Sequence, residues 1–315
     1  MIELSGGILL GWALGANDAA NVFGTAVASR MVRYRTATIV AAGFIVLGAL
    51  AQGQAGFRTL GGLTVQTART AMIVTAVAGA TVLLIMALFR LPVSSSQAVI
   101  GAILGMGLYT APREVQWSGL IKVVTCWVGT PVGAAVVAAA LYPSLGRLFD
   151  RMRLNPIGRS ILLRSLLLAG GAYGAYALGA NNVANVTGVF YGTGVLEGAD
   201  NSPLLLAMIG GASIAAGVLT FGRAVMLTVG RRLVQLGAFS ALVAVLAEAV
   251  TVHVYAMIGV PVSASQAVVG AVLGIGLVKS PRTIHAGVLM RILFAWVVTP
   301  VWAGALCFLA AWAFL

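Results

Sequence analysis

The chain has 315 residues, of which 60% are hydrophobic and only 8% charged, with a mean hydropathy of +1.03. A water-soluble fold of this composition would have almost no polar surface, so the solvent of this chain is lipid. Its formal charge of +12 does not mark a nucleic-acid binder, because the basic residues sit in short connections between apolar runs, where they set orientation in a bilayer.

A bilayer span takes roughly 20 apolar residues, which gives a chain of this length about eight to ten membrane segments and leaves no room for a soluble domain. Apolar stretches cover residues 2–29, 37–52, 71–89, 93–109, 120–142, 161–191, 204–221, 233–258, 260–278 and 286–315. They are too long and continuous for strands, so the expected fold is an all-α polytopic membrane protein. The first run carries GANDAAN rather than a short hydrophobic core with a cleavage site, and reads as a mature helix. Cys126 and Cys307 lie in apolar runs without partner spacing and read as small buried hydrophobes.

Loop charge sets the orientation. Arg30 to Arg35 and the central cluster Arg147, Arg151, Arg153, Arg159 and Arg164 read as cytoplasmic, as do Arg223, Arg231, Arg232, Lys279 and Arg282. Glu197 and Asp200 lie in a segment without Lys or Arg and read as external. Both termini are then external, with Arg58 and Arg69 outside against the orientation rule. The protein is expected in the cell (inner) membrane.

Internal repetition organises the chain. Residues 92–108 read PVSSSQAVIGAILGMGL and residues 261–277 read PVSASQAVVGAVLGIGL, differing only at Ser95/Ala264, Ile100/Val269, Ile103/Val272 and Met106/Ile275. The same offset pairs Trp127 with Trp296 and Pro131 with Pro300, and GANDAANVFG from Gly15 matches GANNVANVTG from Gly179. The division is repeat one over 1–146, a basic cytoplasmic linker over 147–160 and repeat two over 161–315. Repeat one has an odd number of crossings, so repeat two is inverted, a plan that puts transport sites near the midplane.

In PVSSSQ, Pro92 ends one apolar run and Ser94 stands three residues before Gln97, the spacing of a capping box that opens a helix. Ser263 and Gln266 recreate it. A helix start offers free N–H groups and about half a positive charge, an anion site when exposed, although a box of this kind can also serve only its own helix. Two such starts in inverted repeats would face each other across one anion, at the tips of hairpins near the midplane. The hairpins are either re-entrant or two full crossings with a tight turn; the residues fit both.

The candidate anion ligands are Ser94, Ser95, Ser96, Gln97, Ser263, Ser265 and Gln266, with Asn21 and Asn185. GANDAAN supplies Asn17 and Asp18 as hard oxygen donors, matched by Asn181 and Asn182. A carboxylate at membrane depth binds a cation or carries a proton by default, whereas the asparagines could equally clamp helices together. Glu248 and His253 fall opposite Gly79 and Leu84, outside the repeated core. They could serve a proton route, or be a structural glutamate and a satisfied histidine. No nucleophile with a base, and no ligated-metal cluster, supports an enzyme. A passive anion channel would show flux without cation dependence.

Together GANDAANVFGTAVAS and PVSSSQAVIGA, recurring in order in both halves, resemble the signature of the inorganic phosphate transporter (PiT) family. The resemblance implies a symporter coupling phosphate uptake to a cation gradient, with Na+ (or H+) as coupling ion at Asn17, Asp18, Asn181 and Asn182, and a homodimer. The family also contains sulfate permeases. This chain departs from the family pattern at Asn182, commonly aspartate, and at Gln97 and Gln266, histidine in many members.

Overall fold

The structure is a computed structural model that describes residues 2–89, 93–196, 202–232, 237–279 and 286–315. Pro92, Glu197, Asp200 and Arg282, named above, lie outside the described residues, and so do the side chains of Arg223, Arg231 and Arg232. Every element longer than a turn among the described residues is an α-helix. They are α1 (Ser5–Ala28), α2 (Tyr34–Gln52), the short α3 (Phe57–Gly61), α4 (Ala68–Phe89), α5 (Ser95–Thr110) and α6 (Trp117–Arg151). After them come α7 (Pro156–Thr187), α8 (Ser202–Arg232), α9 (Ala238–Met257), α10 (Ala264–Lys279) and α11 (Ala286–Phe314).

Each apolar stretch expected from sequence is a helix, and seven helices among the described residues are long and apolar enough to cross a membrane. The protein is an integral membrane protein. The basic segment 147–160 is largely helical, since α6 runs to Arg151 and α7 starts at Pro156, where Asn155 caps it by accepting from Gly158 N–H at 2.7 Å. The short α3 had no signal in the apolar pattern, being only five residues rich in polar and glycine positions.

Two helices long enough to cross do not. α4 runs alongside α1, with Gly6 against Met72 and Gly79 against Leu10, and the chain turns at Val93, which bonds Asn17 midway along α1. From there α5 returns to the face where it began, since Gln116 N–H donates to the Leu63 carbonyl. At 16 residues, α5 and α10 are each about 24 Å long, short of a hydrocarbon core of about 30 Å. The α4–α5 and α9–α10 pairs are therefore re-entrant hairpins, the first of the two arrangements the sequence allowed.

The other five of those seven, α2, α6, α7, α8 and α11, cross, and α1 joins them because its 24 residues are about 36 Å long. Among the described residues α1, α2 and α6 are the crossings of repeat one and α7, α8 and α11 those of repeat two. Three crossings invert the second repeat. The α4–α5 hairpin enters from the face holding Gly6, where Arg69 also donates to the Phe314 carbonyl at 2.7 Å. The α9–α10 hairpin enters from the face of the central basic segment, where the Phe239 ring packs on Phe149 and Tyr142, and Arg159 sits over Phe149.

The two repeats interlock. The most extensive helix contacts are α1 with α8, α7 with α2, α5 with α11 and α10 with α6, each pair joining one repeat to the other. Glycine makes them possible. At Gly15 an added Cβ would strike the Ile214 carbonyl, and at the matching Gly179 it would strike that of Ile45. Gly101 and Gly270 meet the carbonyls of Pro300 and Pro131 in the same reciprocal way. Such small-residue contacts replace the hydrophobic drive that lipid cannot supply, each Cα–H···O approach contributing about 0.5–1 kcal/mol.

Candidate functional site

Interlocking brings the middle of α1, the last turns of α7 and both hairpin tips to one buried place. Ser94 caps α5 by accepting from Gln97 N–H at 3.3 Å, and Ser263 caps α10 by accepting from Gln266 N–H at 3.3 Å. The expected boxes are half formed. The side-chain oxygens Oε1 of Gln97 and Gln266 are buried and have no partner.

The signature asparagines hold the tips. Asn17 donates through Nδ2 to the Val93 carbonyl at 2.9 Å and accepts from Val93 N–H at 3.4 Å. Asn181 does the same to Val262, at 2.7 and 3.0 Å. A side-chain amide thus takes the place of a strand partner for a turn whose backbone would otherwise lie unpaired in the membrane. For this pair the clamp reading describes what the atoms do. The two tips also touch: Ser265 Oγ donates to the Val93 carbonyl at 3.0 Å and accepts from Asn21 Nδ2 at 3.3 Å, while Ser96 Oγ lies 3.4 Å from Ser94 Oγ.

Asp18, 2% exposed, is the centre of the network. Its Oδ1 accepts from Asn17 at 2.8 Å and Asn21 at 3.3 Å, its Oδ2 accepts from Asn182 at 3.3 Å, and the Ser95 hydroxyl also bonds it. Asn182 repeats the pattern, its Oδ1 accepting from Asn181 and Asn185, each at 3.0 Å. The halves differ in chemistry: Asp18 with Ser95 in one, Asn182 with Ala264 in the other. Of the Asn and Gln side-chain oxygens in this network, four are buried without partners, in two repeat-related pairs: Oδ1 of Asn21 and Asn185, and Oε1 of Gln97 and Gln266.

The sequence-predicted anion and cation residues are thus adjacent. Glu248 and His253 are not brought together, since five positions on a helix separate them by about 140°. His253 bonds Tyr173 Oη through Nδ1 at 2.8 Å and Gln52 Oε1 through Nε2 at 2.7 Å, between the rings of Tyr173 and Tyr176. It is a satisfied histidine tying α9 to α7 and α2. Sequence reasoning missed Gln52 and Tyr173 because neither position is polar in both repeats. It also missed Thr59, which donates to the Gly259 carbonyl at 2.6 Å beside the second tip.

A solved structure of a sodium-dependent phosphate transporter is similar with a TM-score of 0.84 over 99% of this chain and 98% of that one, at 22% identity, which speaks to the fold. A protein of Methanocaldococcus jannaschii named as a candidate phosphate permease is 29% identical, over 95% of this chain and 93% of its own length. A sulfate permease of Bacillus subtilis is 28% identical, over 91% and 80%. The sequence profile described as "Phosphate transporter family" matches residues 14–307, nearly the whole chain, and the protein belongs to that family of membrane transporters.

Proposed function

We propose that this protein is a secondary transporter that takes up inorganic phosphate together with Na+, holding both ions where the hairpin tips meet. The observation that carries the reading is the set of four unpartnered amide oxygens around one carboxylate. Amide oxygens repel a bare dianion and satisfy themselves on a cation or on the hydroxyl of a protonated phosphate. Asp18, with Asn17, Asn181 and Asn182 around it, is assigned to the cation, and the free oxygens of Asn21, Asn185, Gln97 and Gln266 line the space next to it. The anion takes the helix starts through Ser94, Ser95, Ser96, Ser263 and Ser265 and the N–H groups behind them. The cation offsets charge that would otherwise stand unpaired in a low dielectric. A solved relative of this fold is sodium-dependent by name, which supports Na+ over H+ at Asp18.

The face holding Gly6 and Arg69 is assigned to the outside of the cell membrane, because the opposite face holds the central basic segment. Two copies are expected to associate, as the family resemblance implies. Sulfate is the second reading, favoured by the sulfate permease among the relatives. Uptake of labelled phosphate into proteoliposomes, with and without an inward Na+ gradient, tests the proposal. Phosphate uptake that follows the gradient and resists excess sulfate is expected. Competition by sulfate at equal concentration would shift the substrate to sulfate, and uptake indifferent to Na+ would remove Na+ coupling.

A further inference from the structure

Glu248 is a second carboxyl group inside the membrane, and neither the repeat nor the family signature accounts for it. It lies in the first hairpin arm of repeat two, is 3% exposed, and its Oε2 has no partner. Its neighbours a turn away on α9 are Ala244, Val245 and Val252, with Thr251, whose hydroxyl is bonded to the Ala247 carbonyl at 2.7 Å. The equivalent position in repeat one is Gly79, packed against Leu10 of α1 so that an added Cβ would lie 3.2 Å from the Leu10 Cα. The carboxyl is thus an addition to one half only, the half that has lost its signature carboxylate to Asn182.

The helices packed on α9 are α7, α10, α6 and α1. Their titratable and charged groups are Tyr173 and Tyr176 of α7, which flank His253, with Arg159 and Arg164 in the first turns of α7, and Lys279 at the end of α10. From α6 come Cys126 and Lys122 near Tyr255, and Tyr142, Arg147, Asp150 and Arg151 at the end nearest Phe239. From α1, which packs on α9, comes Asp18, a second buried carboxyl group. The two carboxyls differ in surroundings: amide and hydroxyl donors converge on Asp18, whereas Oε2 of Glu248 has no donor. Two bare carboxylates of like charge in a low dielectric do not persist together, so one carries its counter-charge as a metal ion or a proton.

We infer that Glu248 is a proton-carrying site, a carboxylic acid in the resting protein that gives up its proton as the transport site changes occupancy. Its role in transport rests on the proposed phosphate uptake; its protonation does not. The step moves one proton from the Glu248 carboxyl to a solvent water on the side to which the transport site opens, breaking the carboxyl O–H bond as the O–H bond of a hydronium ion forms. A hydronium ion returns a proton to the carboxylate by the reverse transfer. His253, bonded on both nitrogens and on another side of the helix, is not its relay.

Infrared spectroscopy of the purified protein in lipid tests the assignment without transport. Wild type at neutral pH should show the C=O stretch of a protonated carboxyl, shifted in D2O, which Glu248→Gln loses and Asp18→Asn keeps. A wild type without that band, or a Glu248→Gln protein that retains it, overturns the proposal. If Glu248→Gln does not fold, Glu248→Ala, nearer to what repeat one carries there, takes its place. In proteoliposomes an inward proton gradient should accelerate wild-type phosphate uptake and leave any uptake by the variant unaccelerated, the same buffers cancelling the ionisation of phosphate itself. Equal acceleration in both would remove Glu248 from coupling. Absence of all wild-type uptake would sink the transport reading, with the infrared band still deciding the proton site.

Discussion

Asn182 Nδ2 donates to Asp18 Oδ2 at 3.3 Å, joining matching positions of the two repeats. With aspartate at both positions, two carboxylate oxygens would face each other at this distance and would need a cation or a shared proton between them. Asparagine replaces that requirement with a neutral hydrogen bond.

Asn182→Asp should therefore create a site that demands a cation. The variant is expected to melt below wild type in Na+-free buffer and to recover with added Na+ by a larger shift than wild type shows, because a ligand bound only by the folded state stabilises it. Melting curves over a Na+ series in detergent check this. Equal Na+ shifts in both proteins would show that the pair does not bind the ion.

Asp18→Asn is the converse. The network around it remains satisfiable, since Asn182 already occupies the equivalent place with Asn181 and Asn185 bonded to it. The fold should survive, and Na+-driven uptake should be lost. An unchanged Na+ dependence in the variant would take Asp18 out of the mechanism.

Gln97 and Gln266 separate affinity from stability. Their side-chain oxygens have no partner, so Gln97→Ala and Gln266→Ala should melt close to wild type and weaken phosphate binding in calorimetry. The double variant should depart from additivity, because both would meet one ligand. Ser94→Ala, which removes the cap on Gln97 N–H, should by contrast cost about 1 kcal/mol of stability.

The glycines test the interlocked packing. Gly101→Ala and Gly270→Ala place a methyl against the backbone carbonyls of Pro300 and Pro131, which cannot swing aside. Each should cost about 3 kcal/mol or more, the upper range for overpacking. Gly43 of α2 has open space around it, and Gly43→Ala should be neutral or stabilising by up to about 1 kcal/mol. Similar melting temperatures for Gly101→Ala and Gly43→Ala would contradict the packing.

Orientation is open to labelling. Cysteine at Arg58 should react with a membrane-impermeant reagent in intact cells, and cysteine at Arg153 only after lysis. Equal labelling of both would overturn the proposed sidedness.

Much of this was legible in the chain itself. Composition dictates a lipid solvent, and the near-identity of 92–108 with 261–277 dictates two copies of one unit, because a hydrophobic pattern and a repeat are local properties of the chain. The N-caps at Ser94 and Ser263 were also readable, since a capping hydroxyl and the N–H it satisfies lie three residues apart. What the signature asparagines do was not. Asn17 and Asn181 differ from Asn21 and Asn185 only in what stands opposite: the first pair meets the hairpin backbone, and the second keeps an oxygen free.

That difference belongs to tertiary structure, as does the choice of re-entrant hairpins over full crossings, which depends on where Val93 comes to rest against α1. So does the exchange of partners between repeats, in which Gly15 meets Ile214 and Gly179 meets Ile45. Sequence alone determined which segments enter the membrane, where their helices begin, and that they come in two related sets. The pairing of those sets was decided only by packing, because contacts between residues far apart in the chain depend on shape complementarity that no single segment encodes.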